Sequence, residues 1–280
     1  MATILMTGEL WFRVPEIIEV RLDGEAQKGV YPKDVILEVL GRIRADGAVY
    51  KAIDFTGSYV EKLNVAGRMT ICNMAVEMGA KTAYMQPNAD VLNYVDKRAV
   101  RPYEVQFTDP DFQYEESYVF DVSKIEPNLA CPSSVENVHP LSEVVANGPI
   151  KLNQGYIGSC TGGRVEDIAI AAQILKGRHI PAYTRLIIVP ASDEVMQECM
   201  KAGYIQELMR AGATVTTPGC GACLGAHEGV LAPGEVCITS TNRNFPGRMG
   251  STEALMYLAS PATVAASMVN GCITDPREFL

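Results

Sequence analysis

The segment NQGYIGSCTGGRVEDIAIAAQILKG, residues 153–177, sets the fold class. NQGYIGS reads as a strand, and RVEDIAIAAQILKG reads as a helix. Between them a cysteine, Cys160, stands in a sharp turn bounded by glycines. The same strand-then-helix rhythm continues outward. TRLIIVPAS (184–192) is an apolar strand, and the following 192–212 reads as one helix behind a Ser/Asp cap. ATVTTPG and EVCITST read as strands, and SPATVAASMVNG as a final helix. Toward the amino terminus, EIIEVRLDG is a strand. PKDVILEVLGRIRADG (32–47) is a helix with Pro at its first position and apolar residues at Val35, Ile36, Val39, Leu40 and Ile43. AVYKAIDFTG is a strand, NVAGRMTICNMAVEMGAK (64–81) a buried helix and TAYM a short strand. Strands alternating with helices predict an α/β fold with largely parallel sheets. Ligands of such folds bind where strands end and helices begin.

The chain has 280 residues, 48% of them hydrophobic and 20% charged, enough for two domains of ordinary size. We expect an α/β domain over 1–110, a Pro-rich crossing over 111–150 and a second α/β domain over 151–280. A formal net charge of -9 provides no electrostatic reason to bind nucleic acid or an anionic membrane. An anionic substrate would need local cations against that field. No apolar run reaches the roughly 20 residues of a membrane span, and the first residues lack a basic leader pattern. The expected location is therefore cytoplasmic, where the eight cysteines serve as ligands, nucleophiles or core filler rather than disulfides.

Four constellations could carry chemistry. Cys160, in Gly158-Ser159-Cys160-Thr161-Gly162, fits a cysteine form of the nucleophile elbow, with His227 following it in chain order. TTPGCGACLGAHEG (216–229) holds a C-x-x-C pair, Cys220 and Cys223. Glycine-broken sequence after the pair weakens a thioredoxin-like reading. Zinc held by Cys160, Cys220, Cys223 and His227, and an iron–sulfur cluster using a remote cysteine, both stay open. STNRNFPGRMGS (240–251) places Arg243 and Arg248 on one glycine-rich loop, suited to bidentate capture of carboxylates. Glu77, with Asn73, lies in an apolar helix, where a carboxylate needs a partner or a proton.

Taken in order and spacing, GRMTICNMAVEMGAKT, IGSCTGGRVEDIAIAAQILKG, TTPGCGACLGAHEGVLAPGE and TSTNRNFPGRMGS resemble the aconitase superfamily. The likeness is to large subunits of the 3-isopropylmalate dehydratase and homoaconitase type. It implies aconitase-like three-layer α/β/α domains and a [4Fe–4S] cluster held by Cys160, Cys220 and Cys223, with one iron open to substrate. It also implies that Asn73 and Ser159 neighbour the cluster and that Glu77 acts on the hydroxyl or water. Asn242, Arg243 and Arg248 would bind substrate. The implied reaction moves a hydroxyl between adjacent carbons of a hydroxy di- or tricarboxylate, such as 3-isopropylmalate, homoaconitate or a methylated malate. The implied partners are a small swivelling subunit and an amino-terminal part, on the same or a separate chain, bearing Asp-His and Asp-Ser-His segments that this sequence lacks. Gly162 stands where the family usually has Asn. The runner-up reading is a non-enzymatic protein that uses the three-cysteine site for iron sensing or partner binding.

Overall fold

The structure is a computed structural model describing residues 2–280. Strands β1 (Ile17–Asp23), β2 (Ala52–Thr56), β3 (Thr82–Tyr84) and β4 (Ser117–Asp121) form a four-stranded sheet. Its order is β3-β2-β1-β4, parallel throughout. Seven further strands form the second sheet: β5 (Asn128–Ala130), β6 (Val138–Pro140), β7 (Gln154–Gly158), β8 (Arg185–Val189), β9 (Thr214–Val215), β10 (Val236–Thr239) and β11 (Leu255–Leu258). Their order is β6-β5-β11-β10-β7-β8-β9. The β11-β10-β7-β8-β9 block is parallel, and β5 runs antiparallel to both neighbours. The chain passes from the first sheet to the second between β4 and β5.

Alternation along the strands decides what each face meets. In β1, Ile18, Val20 and Leu22 are wholly buried, and they join Val35, Ile36, Val39 and Leu40 of the helix Pro32–Ile43 in one core. Ala130 and Leu258 of the second sheet belong to that core too, so this helix is wedged between the sheets. Ile157, Leu186, Ile188 and Ile238 face the helices Val165–Leu175 and Pro261–Asn270. On the opposite face, Tyr156, Ile187, Val189 and Cys237 pack against loop residues Ala222, Leu231 and Met249. The second sheet therefore has helices on one side and, on the other, the loops that carry Cys220, Cys223 and Arg248.

Several elements differ from the sequence expectation; β4, β5 and β6 lie within the stretch expected to be a Pro-rich crossing, and β4 belongs to the first sheet. The helix over 64–81 ends as an α-helix at Met74, and a tighter 3-10 turn, Ala75–Met78, carries Glu77. The helix over 192–212 is two helices, Asp193–Lys201 and Tyr204–Arg210, because Gly203 between them takes a left-handed conformation with φ 81°. The central strand β11 was not anticipated. Its four residues, LMYL, are too few to show a period, and pairing with β10 and β5 makes the strand.

Candidate active site

Cys160 lies two residues past the end of β7, in the short helix Ser159–Gly162. Ser159, with φ 70°, makes the turn, and the thiol-bearing residue is exposed. Two side chains of the helix Val65–Met74 reach this turn. Thr70 Oγ1 donates to the Thr161 carbonyl at 3.0 Å, and Asn73 Nδ2 donates to the Cys160 carbonyl at 3.4 Å. Ser240, just past β10, closes the other side. Its hydroxyl accepts from the Gly158 amide at 3.1 Å and donates to the Gly162 carbonyl at 3.2 Å. A β-carbon on Gly162 would lie 2.3 Å from Ser240 Oγ, so glycine is the residue this packing accepts.

The C-x-x-C pair sits over the same strand ends. Tyr156 of β7 donates its hydroxyl to the Cys220 carbonyl at 2.7 Å. The Gly219 amide donates to the Pro190 carbonyl, one residue past β8. Gly221, at φ 50°, passes so close to Tyr156 that a β-carbon there would be 2.6 Å from the phenol oxygen. Cys220 is exposed and Cys223 buried. All three candidate thiols thus occupy the carboxyl ends of β7 and β8. Among the described residues, no three His, Cys, Asp or Glu side chains converge on one point where a single metal ion could sit. Four-ligand zinc would require such a point, whereas cluster thiolates bind separate irons.

Glu77 faces the arginine loop. Arg243 Nε donates to its two carboxylate oxygens at 2.9 and 3.1 Å. The Glu77 side chain is 9% exposed and that of Arg243 37%, so the carboxylate is shielded while the guanidinium stays partly open to solvent. Burial raises the Glu77 pKa, while Arg243, Lys33 and Arg248 oppose the shift. Arg248 stands near the Phe245 ring, and its Nε is buried without a hydrogen-bond partner. Ser159 Oγ and Asn242 Oδ1 are also buried and unpaired. Orphaned polar atoms are costly in a folded chain, and a bound ligand is one way of satisfying them. Soft thiols, glycine-exposed backbone and unpaired polar atoms together fit an iron–sulfur cluster with a polar anionic substrate.

The aconitase family (aconitate hydratase) pattern matches residues 1–271. The chain belongs to the aconitase family. It is 49% identical over 278 residues to the probable methanogen homoaconitase large subunit of Methanothermobacter thermautotrophicus, covering 99% of this chain and 64% of that protein. It is 51% identical over 283 residues to 3-isopropylmalate dehydratase large subunit 1 of Methanopyrus kandleri, covering 100% of this chain and 66% of that one. The chain thus spans about two thirds of the length of these relatives. Among solved structures, Thermococcus kodakaraensis aconitase X in its holo form aligns at 12% identity with a TM-score of 0.44, covering 86% of this chain and 54% of that one.

For this aconitase-family chain, sequence reasoning missed Thr70 and Ser240 beside the Cys160 turn, and two residues more. Tyr156 falls within the expected strand, and its hydroxyl ties β7 to the C-x-x-C loop. Lys33 is 2% exposed, and its ammonium donates to the Thr241 carbonyl at 2.6 Å and to Met74 Sδ at 3.4 Å. A signal existed: Lys33 lies four and seven residues before the buried Leu37 and Leu40, on one helix face. No helix among the described residues is long and apolar enough to cross a membrane.

Proposed function

We propose that this chain is the cluster-bearing portion of a hydro-lyase large subunit. It would dehydrate and rehydrate a hydroxy di- or tricarboxylate of the isopropylmalate or homoaconitate class. The reading is carried by one juxtaposition: the segment bearing Glu77 reaches the Cys160 turn through Asn73, while Arg243 and Arg248, the latter against the C-x-x-C loop at Gly225, flank the Glu77 carboxylate. Its proposed partners are the substrate, a small subunit, and the part of the relatives' length that lies outside the match.

Cys160, Cys220 and Cys223 would hold a [4Fe–4S] cluster, which supplies a Lewis acid for a hydroxyl that is otherwise a poor leaving group. Ser159 and Asn242 bring their unpaired oxygens to that neighbourhood, and Asn73 braces the Cys160 backbone. Arg248 has no carboxylate partner among the described residues and would take a substrate carboxylate. Arg243 would do the same beside Glu77, exchanging one carboxylate for another or holding both on its fork. Glu77 would pass a proton to the departing hydroxyl, and take one from the water that adds back to the double bond. Burial favours its protonated form and the three nearby cations favour its carboxylate. Proton removal at the neighbouring carbon requires a base that this reading assigns to the small subunit.

The test is anaerobic reconstitution of the full chain with iron and sulfide, followed by visible absorption and EPR. The expected result is a broad band in the blue and a three-iron EPR signal after mild oxidation. Both should vanish in C160A, C220A and C223A and persist in H227A. A chromophore indifferent to those cysteines would end this reading.

A further inference from the structure

We propose that Lys33 is a positioning residue of this site, whose buried ammonium locks the turn that carries Glu77 to the loop that carries Asn242 and Arg243. The proposal rests on the role given to Glu77 above. Its geometry is independent of that role. One ammonium bonds two separate elements. Thr241, whose carbonyl accepts from Lys33, directly precedes Asn242 and Arg243. Met74, whose sulfur takes the longer contact, is the last residue before the turn Ala75–Met78. Lys33 itself sits at the second position of the helix wedged between the sheets. It therefore joins three segments that sequence separates widely.

The charge has little else to do. A wholly buried ammonium is unfavourable unless something repays its lost hydration. The acidic groups facing it are Glu77 on the turn, Cys223 on the C-x-x-C loop, Asp167 on the helix Val165–Leu175 and Asp34 on its own helix. Asp34 already accepts the Tyr31 and Asn128 amides, and Asp167 accepts the Arg164 amide. Glu77 is the acid that supports the Lys33 charge most. Burial brings the Lys33 pKa down to about 8, so the ammonium is mainly charged at neutral pH. Around Glu77 it adds to Arg243 and Arg248, making a local excess of cations in a chain of net charge -9. An arriving dianion or trianion meets that excess, which opposes the upward push of burial on the Glu77 carboxyl.

The experiment is carbon-13 NMR of the full, cluster-free chain labelled at glutamate carboxyls, with the Glu77 signal identified by its loss in E77Q. In K33M the Glu77 titration midpoint should move up, and K33R should return it toward the wild-type value. A K33M chain with native far-UV circular dichroism and an unmoved Glu77 midpoint overturns the proposal. If K33M does not fold, the reciprocal measurement decides. Coupling between two sites is equal in both directions, so E77Q must lower the midpoint of Lys33, observed in lysine-labelled chain and identified by its loss in K33R. An unmoved Lys33 midpoint there also overturns it. Neither measurement needs cluster or turnover. Coupling found in a chain that never gains hydro-lyase activity would count against the proposed reaction and leave Lys33 in its role. In the assembled enzyme, K33M should lower kcat/KM by about tenfold or more, through a misplaced Glu77 and a weaker hold on the substrate carboxylates.

Discussion

Gly162 shows how a single residue is fixed by its neighbours. A β-carbon there would come within 2.3 Å of Ser240 Oγ and 2.7 Å of the Ser240 carbonyl oxygen. An Asn, which the family resemblance would lead one to expect here, would meet the same wall in this chain. Ser240 cannot easily retreat, because its hydroxyl bonds both Gly158 and Gly162. G162A should therefore destabilise the chain by about 1–3 kcal/mol, the usual cost of overpacking. Urea unfolding measures it. A double-mutant cycle with S240G should return a clear interaction energy, and additive effects would show that the close approach is not the cause. The sequence flagged Gly162 as unusual, but only the packing explains why it is tolerated.

At the scale of the element, the helix Pro32–Ile43 carries a buried acid at its amino end. Asp34 is wholly buried and accepts amides from Tyr31 at 2.9 Å and Asn128 at 3.1 Å. Burial pushes its carboxyl up to about 7, with those amides, Ser260 and Lys33 opposing. The sign of the linkage follows. Between its ordinary value near 4 and about 7, the folded chain holds a proton that the unfolded chain has released. Stability from this group is therefore greatest at the acid end and falls as pH rises through that window. Wild type should lose thermal stability relative to D34N between pH 4.5 and 7, and the difference should level off above it. Melting temperatures of the two proteins across that range check the slope, and a difference rising with pH would contradict it. The helix itself was legible from Pro32 and its apolar spacing. The burial of Asp34 was not, because it depends on the second sheet closing over the helix end, and for Lys33 only its place on the apolar helix face was legible.

At the scale of the molecule, two sheets share the wedged helix, and the proposed site lies where their loops meet. By contrast, Leu5, Met6, Leu10, Trp11, Phe12 and Val14 are all more than half exposed. Trp11, the chain's sole tryptophan, is 85% exposed. Its emission in the dilute chain should be that of hydrated indole. Denaturant should then leave the emission wavelength nearly unchanged while far-UV circular dichroism shows a cooperative transition. A blue-shifted native emission would mean that this apolar segment is covered by another molecule.

The sequence by itself determined the α/β rhythm, the residues that could ligate sulfur-rich iron, the arginine loop and the family. These rest on local periodicity and on motifs whose spacing is written along the chain. It also put Glu77 on a buried stretch. The tertiary structure decided that Glu77 sits on a tight turn rather than in the helix, and that Arg243 is its partner. It made LMYL a central strand through its neighbours, and it brought Lys33 to Thr241 across 208 residues of chain. Those facts depend on contacts between segments far apart in sequence. No local period encodes them, since they exist only once the two sheets have closed on the same helix.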